Sequence, residues 1–458
     1  MTSRLLVPAR WRDDRFLVAL TVIAVVALVA RVAYVLWMRS VPVRSDGIHY
    51  HEGALQLVDG LGFVNPLSRR LSGEIVPDAV HPPAWTAVLA APSALGLRSF
   101  LSHQLLACLI GTGTVIMTGL AGRAAFKAGV GLIAAALAAV YPNLWLYERE
   151  LATETLAMLW VATIIWLAYR YRATPGPVFA VALGAVVGAA AMTRAEILAV
   201  GGLLVAPLIL FSSTVTWRRR LAWSAGAAIA CIAAIVPWAA YNSTRFARPV
   251  LLSTSMGTAL YTGNCNATYH GELLGYAEFG CITFAGRTVD DDPSVADGEY
   301  RSRAIEFMRE NSSRVPIVSA ARLGRTFNFY RPFQQVRFER ERNTDLWVLR
   351  LALLGYWALL PLAVAGVVIA RRRRIPVYPL LVFPATVIVA TLLTIGAVRY
   401  RAPAEIPLVL LAAVALDAAI ERWRRRTAAR PVAESAEVLE VAARGRSPLA
   451  LVLRARAG

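Results

Sequence analysis

The sequence predicts an all-α polytopic membrane protein with about ten transmembrane helices, and three observations carry that prediction. Of 458 residues, 57% are hydrophobic and 17% charged, with a mean hydropathy of +0.54, an apolar share well above that of a water-soluble domain. Apolar runs approaching the ~20 residues that a bilayer core demands recur from Phe16 to Ile420. Short arginine clusters separate those runs, so the formal charge of +19 is gathered in turns. In a water-soluble chain a pI of 10.6 would point to nucleic acid. Here the basic residues set topology through the positive-inside rule, and the expected partner is the lipid bilayer, with no nucleic acid.

Each span follows from hydropathy and the charge of its flanks. Residues 1–15 carry Arg4, Arg10, Arg12 and Arg15, and no small-residue cleavage site follows the next apolar run. They read as a cytoplasmic N-terminus before a retained first helix. The predicted spans are 16–38, 100–121, 129–146, 151–168, 178–192, 197–211, 221–240, 346–370, 377–395 and 404–420. The turns holding Arg123 and Lys127, Arg170 and Arg172, Arg218 to Arg220, and Arg371 to Arg374 are basic, as cytoplasmic turns should be. The chain then divides into a transmembrane module at 16–240 that contains a first outer loop at 39–99, a large outer loop at 241–345, C-terminal transmembrane helices at 346–420, and a cytoplasmic Arg/Ala-rich tail at 421–458, expected to pack poorly. Chemistry is expected on the extracytoplasmic face of the plasma (inner) membrane, where no nucleotide is at hand to drive it.

The first outer loop contains Asp46, at the head of a segment whose Tyr50, Ala54, Leu55 and Val58 repeat at helical spacing. Asp46 would begin an interfacial helix, as a cap or as a general base at the membrane surface. In the second outer turn Glu150 and Glu154 stand four apart and would share one face of the fourth span. Glu154 would lie just inside the membrane boundary, where an ionisable residue is a functional hypothesis, the alternative being a buried salt bridge to Arg149 or Arg194. Arg31, Arg194, Arg399 and Arg401 break the positive-inside pattern at the outer level. Guanidinium groups suit bidentate phosphate recognition, although snorkelling explains any one of them.

Asp46, His49, His51, Glu52 and His81 share the first loop, but their spacing matches no closed zinc pattern. Carboxylates with carbonyls equally suit a hard divalent cation, so no metal ligands are assigned and a divalent cation stays open. Cys108 and Cys231 lie within spans as small apolar residues. Cys265 and Cys281 share the large outer loop and are candidates for a disulfide. No Gly-rich phosphate loop or Ser-His-Asp arrangement is present, and Gly184 and Gly188 read as a close helix contact.

An Asp after the first span, then Tyr50, Gly60-Leu61-Gly62-Phe63 and His81-Pro82-Pro83, resembles the first outer loop of the GT-C glycosyltransferases. The similarity is to the bacterial branch related to protein O-mannosyltransferases and the lipid A aminoarabinose transferase. Tyr141-Pro142-Asn143, Thr153-Glu154, Met192-Thr193-Arg194, Pro237-Trp238, Tyr261-Thr262-Gly263-Asn264 and Arg399-Tyr400-Arg401-Ala402-Pro403 are similar to blocks of that branch in the same order. The resemblance implies inverting transfer of a sugar, hexosyl or pentosyl, from a polyprenyl-phosphate donor to a glycan, lipid or protein acceptor. It makes Asp46 the base, Glu154 the second acidic residue with Glu150 as fallback, and Arg194, Arg399 and Arg401 the holders of the donor phosphate. Arg31, His49, Tyr50, His81, Arg149 and Asn264 complete the expected substrate-binding set.

Three departures stand out: Ala195 follows Arg194 where many relatives carry Pro, Cys265 separates Asn264 from Asn266, and Gly47 follows Asp46 where protein O-mannosyltransferases proper carry Glu. The last weakens a protein acceptor. Two other readings compete. A ligase or polymerase of lipid-linked glycans would use Arg325, Arg331 and His270 and leave Asp46 dispensable. A transporter or flippase would carry charge at mid-bilayer, whereas the acidic residues here gather at the outer boundary.

Overall fold

The computed structural model describes residues 9–283, 292–340 and 344–443. The predicted N-terminal stretch 1–8 and the tail end 444–458 lie outside the described residues. The helices run in the order α1 (Ala9–Trp37), α2 (Asp46–Val58), α3 (Pro66–Ser72), α4 (Ala84–Ala94), α5 (Phe100–Ala125), α6 (Ala128–Val140), α7 (Leu146–Arg149), α8 (Glu154–Ala173) and α9 (Pro177–Ala191). They continue through α10 (Ala206–Leu210), α11 (Trp217–Ser243), α12 (Met256–Gly263), α13 (Asn266–Tyr269), α14 (Gly280–Thr283), α15 (Pro293–Glu310) and α16 (Val315–Thr326). The last four are α17 (Pro332–Arg340), α18 (Leu346–Arg372), α19 (Tyr378–Leu393) and α20 (Ala402–Ala443). Among the described residues there is no β-sheet, only one isolated bridge between Val64 and Pro77.

Every predicted span falls on a helix or a broken helix. Among the described residues five helical stretches are long and apolar enough to cross a membrane, in α1, α5, α11, α18 and the start of α20, and shorter apolar helices accompany them. The start of α20 is the hub: it packs against α6, α8, α18 and α19, with Ile406, Val409, Leu410, Ala412 and Ala413 fully buried. The helix continues to Ala443, well into the stretch read as a poorly packed tail. At the opposite extreme α11 leans mainly on α9 and turns Ile229, Ile232 and Val236 outward, the exposure expected where the surrounding medium is apolar.

Two predicted spans are not single helices, for local reasons. The third stops at Val140 because the residue before Pro142 is pushed out of the α region. The sixth is a 3₁₀ turn at Ala195–Leu198, a wider turn at Gly201–Val205 and then α10. Pro207 has no N–H to offer the carbonyl four residues back, and the Tyr378 hydroxyl donates to that Leu203 carbonyl instead.

Contacts define two ends of the bundle. At one, Lys127 pairs with Asp417 at 2.6 Å and with Glu421, which also meets Arg373 at 3.3 Å. At the other sit α2 to α4 and the α12 to α17 segment, where Cys265 and Cys281 are joined by a disulfide. That segment is tied to the last turn of α19, whose carbonyls would otherwise lack partners. Arg322 donates to Leu392 O at 2.9 Å, and Asn264 Nδ2 to Leu393 O at 3.0 Å.

Helices α9 and α11 touch at their backbones through Gly184 and Gly188. A Cβ on Gly184 would run into the Ala227 carbonyl, and one on Gly188 would lie 2.6 Å from Cys231 O. Gly184→Ala is therefore expected to lower the thermal midpoint in detergent by the equivalent of about 1–3 kcal/mol of overpacking. Gly202→Ala, whose Cβ would meet nothing within 4 Å, should leave the midpoint within error and serves as the control.

Candidate active site

Asp46 is the first residue of α2, behind Ser45 held at φ 54°. Ser45 makes no side-chain cap; its hydroxyl donates to Asp46 Oδ1 at 3.2 Å. A carboxylate in the first turn of a helix is favoured by the helix dipole. The apolar face of α2 fixes its height. Tyr50 and Ala54 are buried with Trp85 and Leu89 of α4, Ala107 of α5, and Leu151 and Leu156 at the head of α8. Trp85 Nε1 donates to Leu151 O at 2.7 Å. Gly47 sits directly against the Glu150 carbonyl, and a Cβ there would collide with it and lie 2.5 Å from Val43 Cγ1. The glycine that sets this loop apart from the Asp-Glu pair of protein O-mannosyltransferases is thus required by packing.

Below Asp46, Glu154 opens α8 and is fully buried. Its Oε1 accepts from Arg194 Nη1 at 2.6 Å and from Arg399 Nε at 2.7 Å, and Oε2 faces Arg399 Nη2 at 3.4 Å. Arg399 Nη1 reaches across to Asp46 Oδ2 at 2.6 Å. Arg194 closes the chain on Glu196 at 2.6 Å. Four of the sequence-predicted residues, Asp46, Glu154, Arg194 and Arg399, therefore form one continuous ion-pair network drawn from four separate turns. The alternative of a buried bridge from Glu154 to Arg194 is realised as part of it. Arg194 is steadied by Tyr400, its guanidinium 5.4 Å from the ring centroid, and its neighbour Thr193 accepts from Trp160 Nε1 at 3.0 Å.

One turn along α2, His49 Nε2 meets Asp78 Oδ2 at 2.9 Å. His81 lies edge-on to His49 with centroids 5.2 Å apart, and Tyr50 is 5.0 Å from His81. Burial pushes His49 down, but the hydrogen bond and charge of Asp78, helped by Asp46 and Glu52, lift it above its ordinary 6.5. Burial works to raise Asp78, but the hydrogen bond and charge of His49, together with the Val80 N–H that donates to its Oδ1 at 3.1 Å, override it and hold that carboxyl below its usual 3.8. Among the described residues His81 has no such partner, and burial pushes it down to about 4. Beside Asp46 there is thus an imidazole–carboxylate pair whose contact favours the charged form of both groups, and a second imidazole whose burial disfavours its charged form.

The remaining predicted residues are placed elsewhere. Glu150 and Glu154 do not share a helix face: the chain breaks between α7 and α8 at Leu151, held at φ 52°. Glu150 instead accepts from the Thr344 hydroxyl. Arg149 donates to the Val41 and Pro42 carbonyls at 2.7 and 3.4 Å, pinning the strand of chain that leads to Asp46. Arg31 is buried on Glu148 at 2.8 Å. Arg401 joins Glu405 at 2.7 Å and the Thr326 carbonyl at 2.8 Å, with Tyr356 3.6 Å away. Asn264 Oδ1 accepts from Arg322 at 2.8 Å and from the Tyr269 hydroxyl at 2.8 Å. Arg325 and Arg331, central to the ligase reading, donate to the Glu272 and Leu274 carbonyls.

Asp78, Glu148 and Thr344 are the partners that sequence reasoning missed, because each lies far along the chain from the residue it holds and no spacing links them. For a cation the donor set is poor. His51 faces His103 at 3.0 Å, Asp46 and Glu154 are on guanidiniums, and among the described residues no group of three or more His, Cys, Asp or Glu converges on one point.

The His49–Asp78 pair gives a pH signature. Stability from the raised imidazole is complete below 6.5 and is lost as pH climbs through its higher folded value. Stability from the lowered carboxyl is complete above 3.8 and is lost as pH falls through its lower folded value. Asp78→Asn should therefore depress the thermal midpoint most between those limits, and the gap to the unsubstituted protein should narrow as the pH is taken above 6.5. A gap independent of pH would show that the pair does not titrate this way.

No protein-family model matches the chain, and no curated protein matches it. Solved structures do. The crystal structure of the Archaeoglobus fulgidus oligosaccharyltransferase in complex with Zn and sulfate superposes with a TM-score of 0.53 at 14% identity, over 91% of this chain and 51% of that one. The oligosaccharyltransferase AglB from the same organism, in complex with an inhibitory peptide and a dolichol-phosphate, gives 0.50 at 12% identity, over 92% and 52%. ArnT from Cupriavidus metallidurans, bound to undecaprenyl phosphate, gives 0.41 at 16% identity, over 90% and 78%. The chain spans about half the length of the oligosaccharyltransferases it matches. Apolar helices where hydropathy placed them, and a superposition that takes in nine-tenths of the chain, lead to one conclusion: this protein has the fold of the GT-C glycosyltransferases.

Proposed function

We propose that the protein transfers a sugar from a polyprenyl-phosphate-linked donor to a hydroxyl of a cell-envelope glycan, lipid or protein, with inversion, at the extracytoplasmic face of the plasma membrane. The observation that carries this reading is the meeting of Asp46 and Glu154 on one guanidinium, that of Arg399. It puts a partly exposed carboxylate, a possible base, beside cations suited to a phosphate oxyanion. The dolichol-phosphate held by the archaeal oligosaccharyltransferase of the same fold supports a lipid phosphate as leaving group. The basic turns, which the positive-inside rule assigns to the cytoplasm, leave this end of the bundle on the other side.

In the proposed reaction the acceptor hydroxyl attacks the anomeric carbon as Asp46 takes its proton. The carbon–oxygen bond to phosphate breaks, its electron pair leaves with the lipid phosphate, and the new glycosidic bond forms on the opposite face. Arg399 and Arg194 stabilise the charge growing on the leaving oxygen, an effect that acts more on the transition state than on the bound donor. Glu154 keeps both guanidiniums in place. Neutral His81 and the His49 imidazole, with Tyr50 behind them, form the wall against which the acceptor is oriented.

Asp46→Asn in the purified, detergent-solubilised protein tests this. Turnover of polyprenyl-phosphate sugars against a panel of cell-envelope acceptors should fall about 10²- to 10⁴-fold, with donor binding and the thermal midpoint retained. Turnover that survives the substitution removes Asp46 from the chemistry and redirects attention to the loop at 241–345.

A further inference from the structure

Arg399 serves two carboxylates of unequal exposure. Its Nε and Nη2 face Glu154 at 2.7 and 3.4 Å, a side chain with no exposure, and its Nη1 reaches Asp46 at 2.6 Å, a side chain 27% exposed. Glu154 has a second cation in Arg194 at 2.6 Å. The inner half of the network is closed and charge-matched, so the Asp46 contact is the place where Arg399 can exchange one anion for another. A carboxylate held by a guanidinium at this distance is a poor base. A base that must take a proton from a hydroxyl has to be released first, and a phosphate group is the chemistry that competes with a carboxylate for such a fork.

We propose that Arg399 is a switch operated by the donor: an incoming phosphate takes over Arg399 Nη1, and Asp46 is released from the guanidinium to act as a base only when the donor is in place. This rests on the transferase reading given above. The cycle balances. At transfer the acceptor proton passes to Asp46 and the bonding pair leaves with the lipid phosphate. When that phosphate departs, Arg399 returns to Asp46, and the proton goes to water. Glu154, holding the other edge of the guanidinium, acts as the pivot. Other groups whose charge reaches Asp46 include His49 and Tyr50 on its own helix, His81, and Tyr400 beside Arg399. Among them His49 spends its Nε2 on Asp78, whereas Arg399 touches the Asp46 carboxylate directly.

The test follows the Asp46 carboxyl by infrared difference spectroscopy, unsubstituted protein minus Asp46→Asn, as pH is varied in the full chain. Samples are the protein alone, with undecaprenyl phosphate at saturation, and with inorganic phosphate, binding being measured separately by calorimetry. The Asp46 midpoint is expected to climb by about 1–3 pH units when phosphate binds. A climb with the lipid alone assigns the switch to a lipid headgroup, and a climb with both assigns it to phosphate as such. Repulsion by the bound phosphate would also raise the midpoint, and Arg399→Gln separates the two causes. In that variant the midpoint should start high and move far less on saturation. Arg399→Lys, which keeps a cation for Glu154 without a fork to span both carboxylates, serves the same comparison if the Gln variant does not fold. Equal climbs with and without the arginine, or binding with an unmoved midpoint, overturn the switch alone. Absence of undecaprenyl phosphate binding overturns both the switch and the transferase reading beneath it.

Discussion

The carboxylate of Glu154 is fully buried, and two guanidiniums reach it there from different parts of the chain. Removing one partner of a buried pair of this kind costs about 3–5 kcal/mol, since the charge left behind has no compensation. That constraint fixes three turns at once: the head of α8, the turn at Arg194 and the 3₁₀ turn at Arg399. The first outer loop is then laid on top. Trp85 clamps the Leu151 carbonyl and Gly47 abuts that of Glu150, so Asp46 arrives over Glu154 through backbone contacts rather than through its own charge.

Arg399 and Arg401 stand two residues apart yet belong to separate networks. Arg401 is enclosed by Glu405, the Thr326 carbonyl and the Tyr356 ring, and the same Glu405 accepts from the Tyr141 hydroxyl at 3.0 Å. One arginine of the turn anchors it in the bundle, and the other is held out towards Asp46. The same division of labour recurs on the second turn, where Arg149 pins the chain leading to α2 while the neighbouring Glu150 engages Thr344. Charged residues at this end therefore sort into those that fix backbone and those that meet one another across the opening.

Much of the fold was legible because hydropathy and arginine placement act over whole segments, and each apolar run they marked lies on a helix or a broken helix. Within the site, Asp46, Glu154, Arg194 and Arg399 could be picked out because ionisable residues at the edge of an apolar bundle are costly and stand out against it. The errors were of a different kind. Whether Glu150 follows Glu154 depends on the left-handed backbone at Leu151, which no spacing rule reveals. That Arg399 meets Asp46 and that Arg31 is buried on Glu148 depend on partners 353 and 117 residues distant. Asp78 went unnoticed for the same reason, since its role appears only once His49 is folded against it.

The spacing of the ion pairs along the chain also orders events during biosynthesis. Glu154 meets Arg194 after 40 further residues, within the next helical hairpin. Asp46 must wait for Arg399, 353 residues later and close to the end of the membrane-embedded part. As the chain leaves the ribosome, one half of the network can thus close early, and the other stays open until the turn at Arg399 has been made. The finished site is consequently a property of the fully inserted chain, and a product truncated before residue 399 would carry Asp46 and Glu154 without the side chain that joins them.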